Sequence, residues 1–253
     1  MSRAAFDPDD PAAAPAFVLE ATYEATDGVW HSHRHAQLVH ASAGVLVVTT
    51  STGRWVAPPQ RAVWVPAGMA HSVASRRPFQ LLTLYVDPAA APTPECCQVV
   101  AVDTLVGALL KAGASFGAAY PPTGPEQRLL QVVLDRLPAL AAAPVLQLPQ
   151  PRSPALVQVA AQLLARPDDQ RTLEQWAASV AMTPKTFARR CVAETGMTFG
   201  RWRQHLRLLV AVELLGGGDS VTAVAFDVGY EDVSSFISAF KSVFSHTPAQ
   251  YFR

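Results

Sequence analysis

The sequence holds only three cysteines in 253 residues, and two of them, Cys96 and Cys97, are adjacent. An odd count with that spacing supports neither a disulfide framework nor a cysteine-based zinc cage, and it fits a reducing cytoplasm. No stretch of about 18 uncharged apolar residues occurs, so no membrane-spanning helix is expected. The first fifteen residues carry Asp7, Asp9 and Asp10 and lack the apolar core of a secretory signal. Charge is scarce at 16%, and the net charge is zero, so there is no basic excess to announce a nucleic-acid partner. Gly-rich phosphate loops, a nucleophile elbow and an aromatic single-strand platform are also missing, which leaves no support for RNA-binding.

Half of the residues are apolar, enough for one large or two modest packed domains. From Phe17 to Val86 the chain reads as short β-runs: Phe17–Tyr23, Leu38–Ala41, Val45–Thr50, Arg54–Val56, Ala62–Val65, His71–Ala74 and Gln80–Val86. They are parted by Gly44, Thr52-Gly53, Pro58-Pro59, Pro66-Ala67-Gly68 and Pro78. That pattern predicts a small sandwich or barrel, with Trp30, Trp55 and Trp64 in its core. Helical patterns follow at about 99–114 and 124–140, the second with Leu129, Leu130, Val133, Leu134 and Leu137 on one stripe. Pro144, Pro149, Pro151 and Pro154 then mark an extended linker.

Beyond the linker the balance of charge turns to +2 over residues 152–253, against −2 over residues 1–151. Ser153 and Pro154 open a helix. Thr172 caps a second, and Thr183 with Pro184 starts a third after a short turn at Ala181-Met182. Helix, short turn and capped second helix is the pattern of a helix-turn-helix unit. A long helix, Phe199–Leu215, carries a stripe of Trp202, Leu206, Leu209, Val210 and Leu214, with Arg201, Arg203 and Arg207 beside it. The pattern then recurs, with Ser220 and Asp232 as caps. Thr183 and Asp232 stand 49 residues apart. On the two second helices, Phe187, Cys191, Phe236, Ala239, Phe240 and Val243 are core positions. Lys185, Thr186, Arg189, Ser234, Ser235, Ser238 and Lys241 are left as candidates for DNA contact, because short polar and basic side chains reach base edges and phosphates.

The runs Met182–Arg189, Glu194–Phe199 and Val224–Tyr230, followed by Phe236, Phe240-Lys241, Phe244, Thr247-Pro248 and Tyr251, resemble the DNA-binding domain of the AraC/XylS family of bacterial transcriptional regulators. The resemblance spans about residues 153–253. It implies a seven-helix domain whose two recognition helices enter successive major grooves of double-stranded DNA from one side. Arg190 stands where the family has an apolar residue, and Ser245 where it has glycine.

In the first half, His31-Ser-His33-Arg-His35-Ala-Gln37, Gly44 and Pro66-Ala-Gly68-Met-Ala-His71 resemble the two cupin motifs, with Gln37 in place of the usual acid. This implies a β-barrel pocket lined by His33, His35, Gln37 and His71. Two histidines on alternate strand positions share a face, and a third completes a trigonal set for Ni, Zn, Fe or Cu. A metal-free effector pocket and purely structural histidines stay open beside that reading. Without the carboxylate, no charge offsets a dication.

The expected architecture is therefore α+β in two domains. A tail (1–16) precedes a cupin-like β-barrel sensor (17–90), connector helices (91–143) and a linker (144–153); an all-α domain (154–253) with two helix-turn-helix units follows. The expected function is a cytoplasmic, sequence-specific transcriptional regulator that answers a small molecule or metal ion and performs no catalysis. RNA polymerase and a second copy of the chain are open as further partners. The alternative is a metal-dependent cupin enzyme, a dioxygenase or isomerase, with a fused regulatory domain.

Overall fold

The structure, a computed structural model, describes residues 9–10, 13–143 and 146–252. The chain divides into two compact units, one of Met1–Thr50 with Trp55–Pro144 and one of Ser51–Arg54 with Val145–Arg253. Of the expected tail, residues 1–8 and 11–12 lie outside the described residues, and Asp9 accepts a hydrogen bond from the Arg34 amide at 2.8 Å.

Strands β1 (Ala16–Tyr23), β2 (Ala36–Ala43), β3 (Leu46–Thr50), β4 (Gly53–Ala57), β5 (Arg61–Val65), β6 (His71–Ala74) and β7 (Phe79–Val86) fall where alternation and turn residues predict them. An eighth, β8 (Gln98–Ala101), does not. The helical pattern expected from residue 99 instead begins as strand, because Arg61–Trp64 of β5 pairs antiparallel with it. Helix α1 (Thr104–Gly113) starts only after Asp103, whose carboxylate accepts from the Val106 amide. Helix α2 (Pro125–Arg136) ends in a short 3-10 turn at Leu137–Ala139. The strands form a five-stranded sheet in the order β1-β7-β2-β5-β8 and a second sheet in which β3 lies between β6 and β4.

The two-residue period gives the five-stranded sheet two different faces. Val18, Leu84, Leu38 and Trp64 form one row across β1, β7, β2 and β5. They join Val106 and Leu110 of α1 and Leu130, Val133 and Leu134 of α2 in one buried cluster. The next row, Phe17, Tyr85, Gln37 and Val65, points the other way. Trp55 and Trp64 are core residues at 1% and 2% exposure, whereas Trp30 is 55% exposed and stands outside the core predicted for it.

His40 lies on the helix-side face of β2, buried, with Nδ1 donating to the Arg61 carbonyl at 2.9 Å.

The second unit opens with β9 (Gln147–Pro149), which the proline-rich sequence presented as linker. Its carbonyls are used from outside: Gln147 accepts from His205 Nε2 and Pro149 from Trp202 Nε1, both at 2.9 Å. Seven helices follow: α3 (Pro154–Ala165), α4 (Leu173–Ser179), α5 (Pro184–Thr195), α6 (Phe199–Gly216), α7 (Val221–Asp227), α8 (Val233–Phe244) and α9 (Pro248–Tyr251). Side chains of Thr172, Thr183, Thr198, Ser220 and Asp232 cap α4 to α8, each accepting from a backbone amide three residues on. Leu206, Leu208, Leu209, Val210, Ala211 and Val212 are all buried, so the α6 stripe predicted from sequence becomes a helix packed nearly all round.

Two of the arginines beside that stripe are structural. Arg207 donates from Nε to the Pro167 carbonyl at 2.8 Å, from Nη2 to the Asp169 carbonyl at 2.9 Å and from Nη1 to the Gly229 carbonyl at 3.2 Å. Arg203 Nη1 donates to the Arg171 carbonyl at 2.8 Å, and the Arg171 guanidinium lies 3.5 Å over the Trp176 ring. Gly229 has φ +84°, and a Cβ there would come within 2.8 Å of both Arg207 Nη2 and Asp168 Cα. Ser245, at the α8 C-cap, also adopts a left-handed φ of 63°. The serine that departs from the family glycine therefore sits where a side chain costs about 1 kcal/mol.

Two outcomes follow. Burial lowers the His40 pKa below its ordinary 6.5. The neutral ring then contributes stability that is full above about pH 6.5 and lost as pH falls below it, since the unfolded chain takes up the proton first. Replacing His40 with Gln, which can keep a donor to Arg61, is expected to flatten the acid limb of urea stability between about pH 6.5 and pH 5. In the second unit, Arg207→Ala is expected to cost about 2–4 kcal/mol in urea unfolding at neutral pH. Arg207→Lys should recover little of it, because an ammonium cannot span three carbonyls in one plane.

Candidate functional site

Of the polar residues singled out from sequence, Gln37 lies on the face of the five-stranded sheet turned away from the helices, His33 and His35 lie just ahead of β2, and His71 opens β6 of the other sheet. Gln37 and Tyr85 are opposed across β2 and β7, and the Tyr85 ring stacks on Phe17 at 5.0 Å. The His33 ring meets Tyr85 edge-on at 5.3 Å and His71 edge-on at 5.3 Å. His33, His35, Gln37 and His71 are all buried. Burial also pushes Tyr85 up to about 12, so its phenol stays protonated.

The cluster that forms is not the one expected. His31, His33 and His71 each offer a ring nitrogen, and these atoms all lie within 4.8 Å of one another. His35 is not among them. Its Nδ1 stands 3.8 Å from Asp9 Oδ1, and its ring packs edge-on against Phe17 at 5.5 Å. The run His31-Ser-His33-Arg-His35 contains two H-x-H pairs, and spacing alone does not choose between them. The backbone does: His31 and His71 exchange amide-to-carbonyl hydrogen bonds, both 2.9 Å, which brings their rings to 4.3 Å.

In all three histidines Nδ1 contacts a main-chain carbonyl, which can only accept. His31 donates to Val29 at 2.8 Å, His33 to His35 at 2.7 Å and His71 to Met69 at 2.8 Å. The proton is thereby placed on Nδ1 of His31 and His71, whose Nε2 is left as the lone-pair atom, whereas His33 Nε2 faces the accepting Gln37 Oε1. His71 Nε2 is buried and has no hydrogen-bond partner. Desolvation lowers the His71 pKa to about 4, which keeps the ring neutral at neutral pH. Three imidazoles oriented by carbonyls, one with an orphaned buried nitrogen, match the donor set and outer hydrogen bonds of a metal site. Gln37 Oε1 lies 3.1 Å from His33 Nε2 and brings no charge. Among the described residues no carboxylate joins the three histidines.

In the second unit the candidate DNA-contact residues fall on α5 and α8, the second helix of each helix-turn-helix pair. Phe187 and Cys191 bury one side of α5, and Phe236, Phe240 and Phe244 bury one side of α8. Lys185, Arg189, Ser234, Ser235, Ser238 and Lys241 are exposed, and Thr186 is half-buried. Two of these hydroxyls already have partners. Thr183 Oγ1 lies 3.0 Å from Thr186 Oγ1, and Ser235 Oγ donates to Asp232 Oδ2 at 2.7 Å. Arg190, at the family's apolar position, is exposed.

Known proteins place both units. Residues 15–93 match the family described as the AraC-like ligand binding domain, and residues 176–253 match the helix-turn-helix domain. The HTH-type transcriptional regulator NimR of Escherichia coli (strain K12) is 33% identical over 239 residues, 94% of this chain and 87% of that protein. The HTH-type transcriptional regulator RipA of Corynebacterium diphtheriae is 36% identical over 105 residues, 42% of this chain and 31% of its own length. Among solved structures, the DNA-binding domain of AdpA in complex with a target DNA is 32% identical, covers 40% of this chain and 91% of that one, and superposes with a TM-score of 0.38. With a relative matched over nearly its whole length and a ligand-binding domain ahead of a helix-turn-helix domain, the chain belongs to the AraC family of helix-turn-helix transcriptional regulators.

Proposed function

We propose that the protein is a cytoplasmic, sequence-specific regulator whose sensor unit responds to a divalent transition metal held by His31, His33 and His71. The observation that carries this reading is the convergence of one ring nitrogen from each of the three histidines within 4.8 Å, with Nδ1 of each held by a main-chain carbonyl. Three neutral nitrogen donors favour Zn, Ni or Cu, whereas iron oxygenase sites combine histidine with a carboxylate. Gln37 in the acid position therefore supports sensing over turnover. On the DNA side, Lys185, Thr186 and Arg189 of α5 and Ser234, Ser235, Ser238 and Lys241 of α8 are the contact residues. Metal alters DNA affinity only if the two arrangements of the protein bind metal unequally.

The test uses the full chain stripped with a chelator, then titrated with Zn(II) and Ni(II). One equivalent is expected to bind tightly. His31→Gln and His33→Gln should abolish that equivalent, while His35→Gln keeps it. Metal should also shift affinity for a duplex of the protein's own upstream region by about fivefold or more. No stoichiometric metal, or equal loss in His35→Gln, overturns the histidine assignment; binding without a change in DNA affinity overturns the metal as effector.

A further inference from the structure

The two heads are unequal in charge. Residues 173–195, from α4 through α5, hold Lys185, Arg189 and Arg190 against Glu174 and Glu194, a balance of +1. Residues 221–244, from α7 through α8, hold Lys241 alone against Asp227, Glu231 and Asp232, a balance of −2. Duplex DNA carries about one negative charge per 1.7 Å of axis. The two heads thus meet the same partner with opposite signs.

Placement along the helices sharpens the contrast. The N-terminal part of a recognition helix is the part that reaches into the major groove. On α5 that part holds Lys185, with Arg189 and Arg190 one turn later, all exposed. The acid of α5 is at its far end and turned to internal work: Glu194 Oε2 accepts from the amides of Arg152 at 2.7 Å and Ser153 at 2.9 Å, at the start of α3. On α8 the order is reversed. Glu231 and Asp232 are exposed at the N-terminal end, and Lys241 comes in the last turn. Asp232 is held there as the cap, accepting from the Ser235 amide at 2.8 Å, so its charge is built into the helix start.

Taking α5 and α8 as the DNA-contacting helices, we infer that they divide the work. The α5 head supplies the phosphate-bound, salt-dependent part of the affinity. The α8 head is held off by the phosphates and reads base edges through short uncharged side chains, Ser234 and Ser238 foremost, since the Ser235 hydroxyl is committed to Asp232. Glu231 is then a threshold residue. It lowers affinity for every sequence alike and so leaves their ratios unchanged, but it sets a threshold that only a half-site matching the serines passes.

The experiment measures binding of the full chain to a duplex it selects from a random pool, between about 50 and 200 mM NaCl. Lys185→Ala and Arg189→Ala are each expected to reduce the magnitude of the salt slope by about 1, and Lys241→Ala by less than half as much. Glu231→Gln should tighten binding about threefold at the low-salt end, with the gain shrinking as salt rises. Thermal unfolding of each variant confirms that the fold is retained. A Lys241→Ala slope change equal to that of Lys185→Ala, or a Glu231→Gln variant that binds no tighter than wild type, overturns the division of work. Failure of the wild type to select any duplex over random competitor overturns DNA reading itself, and this inference falls with it.

Discussion

The second unit depends on one guanidinium. Each head is built on a first helix of only seven residues, α4 or α7, too short to persist alone in water. What fixes the heads is the long helix α6, and what ties its flank to both is Arg207, which reaches the Pro167–Asp169 segment ahead of α4 and the Gly229 turn ahead of α8. Gly229 has to lack a side chain for that approach to occur. A planar donor with several N–H groups suits three carbonyls aimed at one point, which explains why arginine and not lysine stands there. Two reading helices can address one duplex only if their separation is held, so this clamp lies upstream of any DNA recognition.

In the first unit the governing constraint is the two-residue period of the five-stranded sheet. One face is spent on packing α1 and α2, with Leu38, Trp64, Leu84 and Val18 in a single row. The opposite face is thereby free to hold Gln37 and Tyr85, with the His33 ring against Tyr85. The buried His33 and His71 are tolerated there because their Nδ1 atoms are satisfied by carbonyls two residues away in sequence, as is that of the exposed His31. The structure meets the desolvation cost locally and leaves the buried Nε2 of His71 without a hydrogen-bond partner.

Much of this was legible in the sequence where local chemistry decides the outcome. The helix-turn-helix pairs are written in their caps, and Thr172, Thr183, Ser220 and Asp232 all cap as their positions suggest. Strand β6 matches its predicted bounds because proline and glycine punctuate it. Non-local pairing was not legible. Gln98–Ala101 is strand only because β5 lies beside it, and Gln147–Pro149 is held extended by His205 and Trp202, whose ring N–H groups donate to its carbonyls. Helix α9, four residues long, is too short to show a period. His31 was hidden for a related reason. Its membership in the cluster is set by a backbone bridge to His71, 40 residues away, and not by the motif spacing. Arg207 carried no signal beyond lying beside an apolar stripe.

The central claim is that two heads on one rigid helix read one face of a duplex. Hydroxyl-radical footprinting of the full chain on a duplex from its own upstream region tests it most directly. The account predicts two protected patches on the same face, centred about one helical turn, some 10 base pairs, apart. A single patch, or two patches on opposite faces, would contradict it.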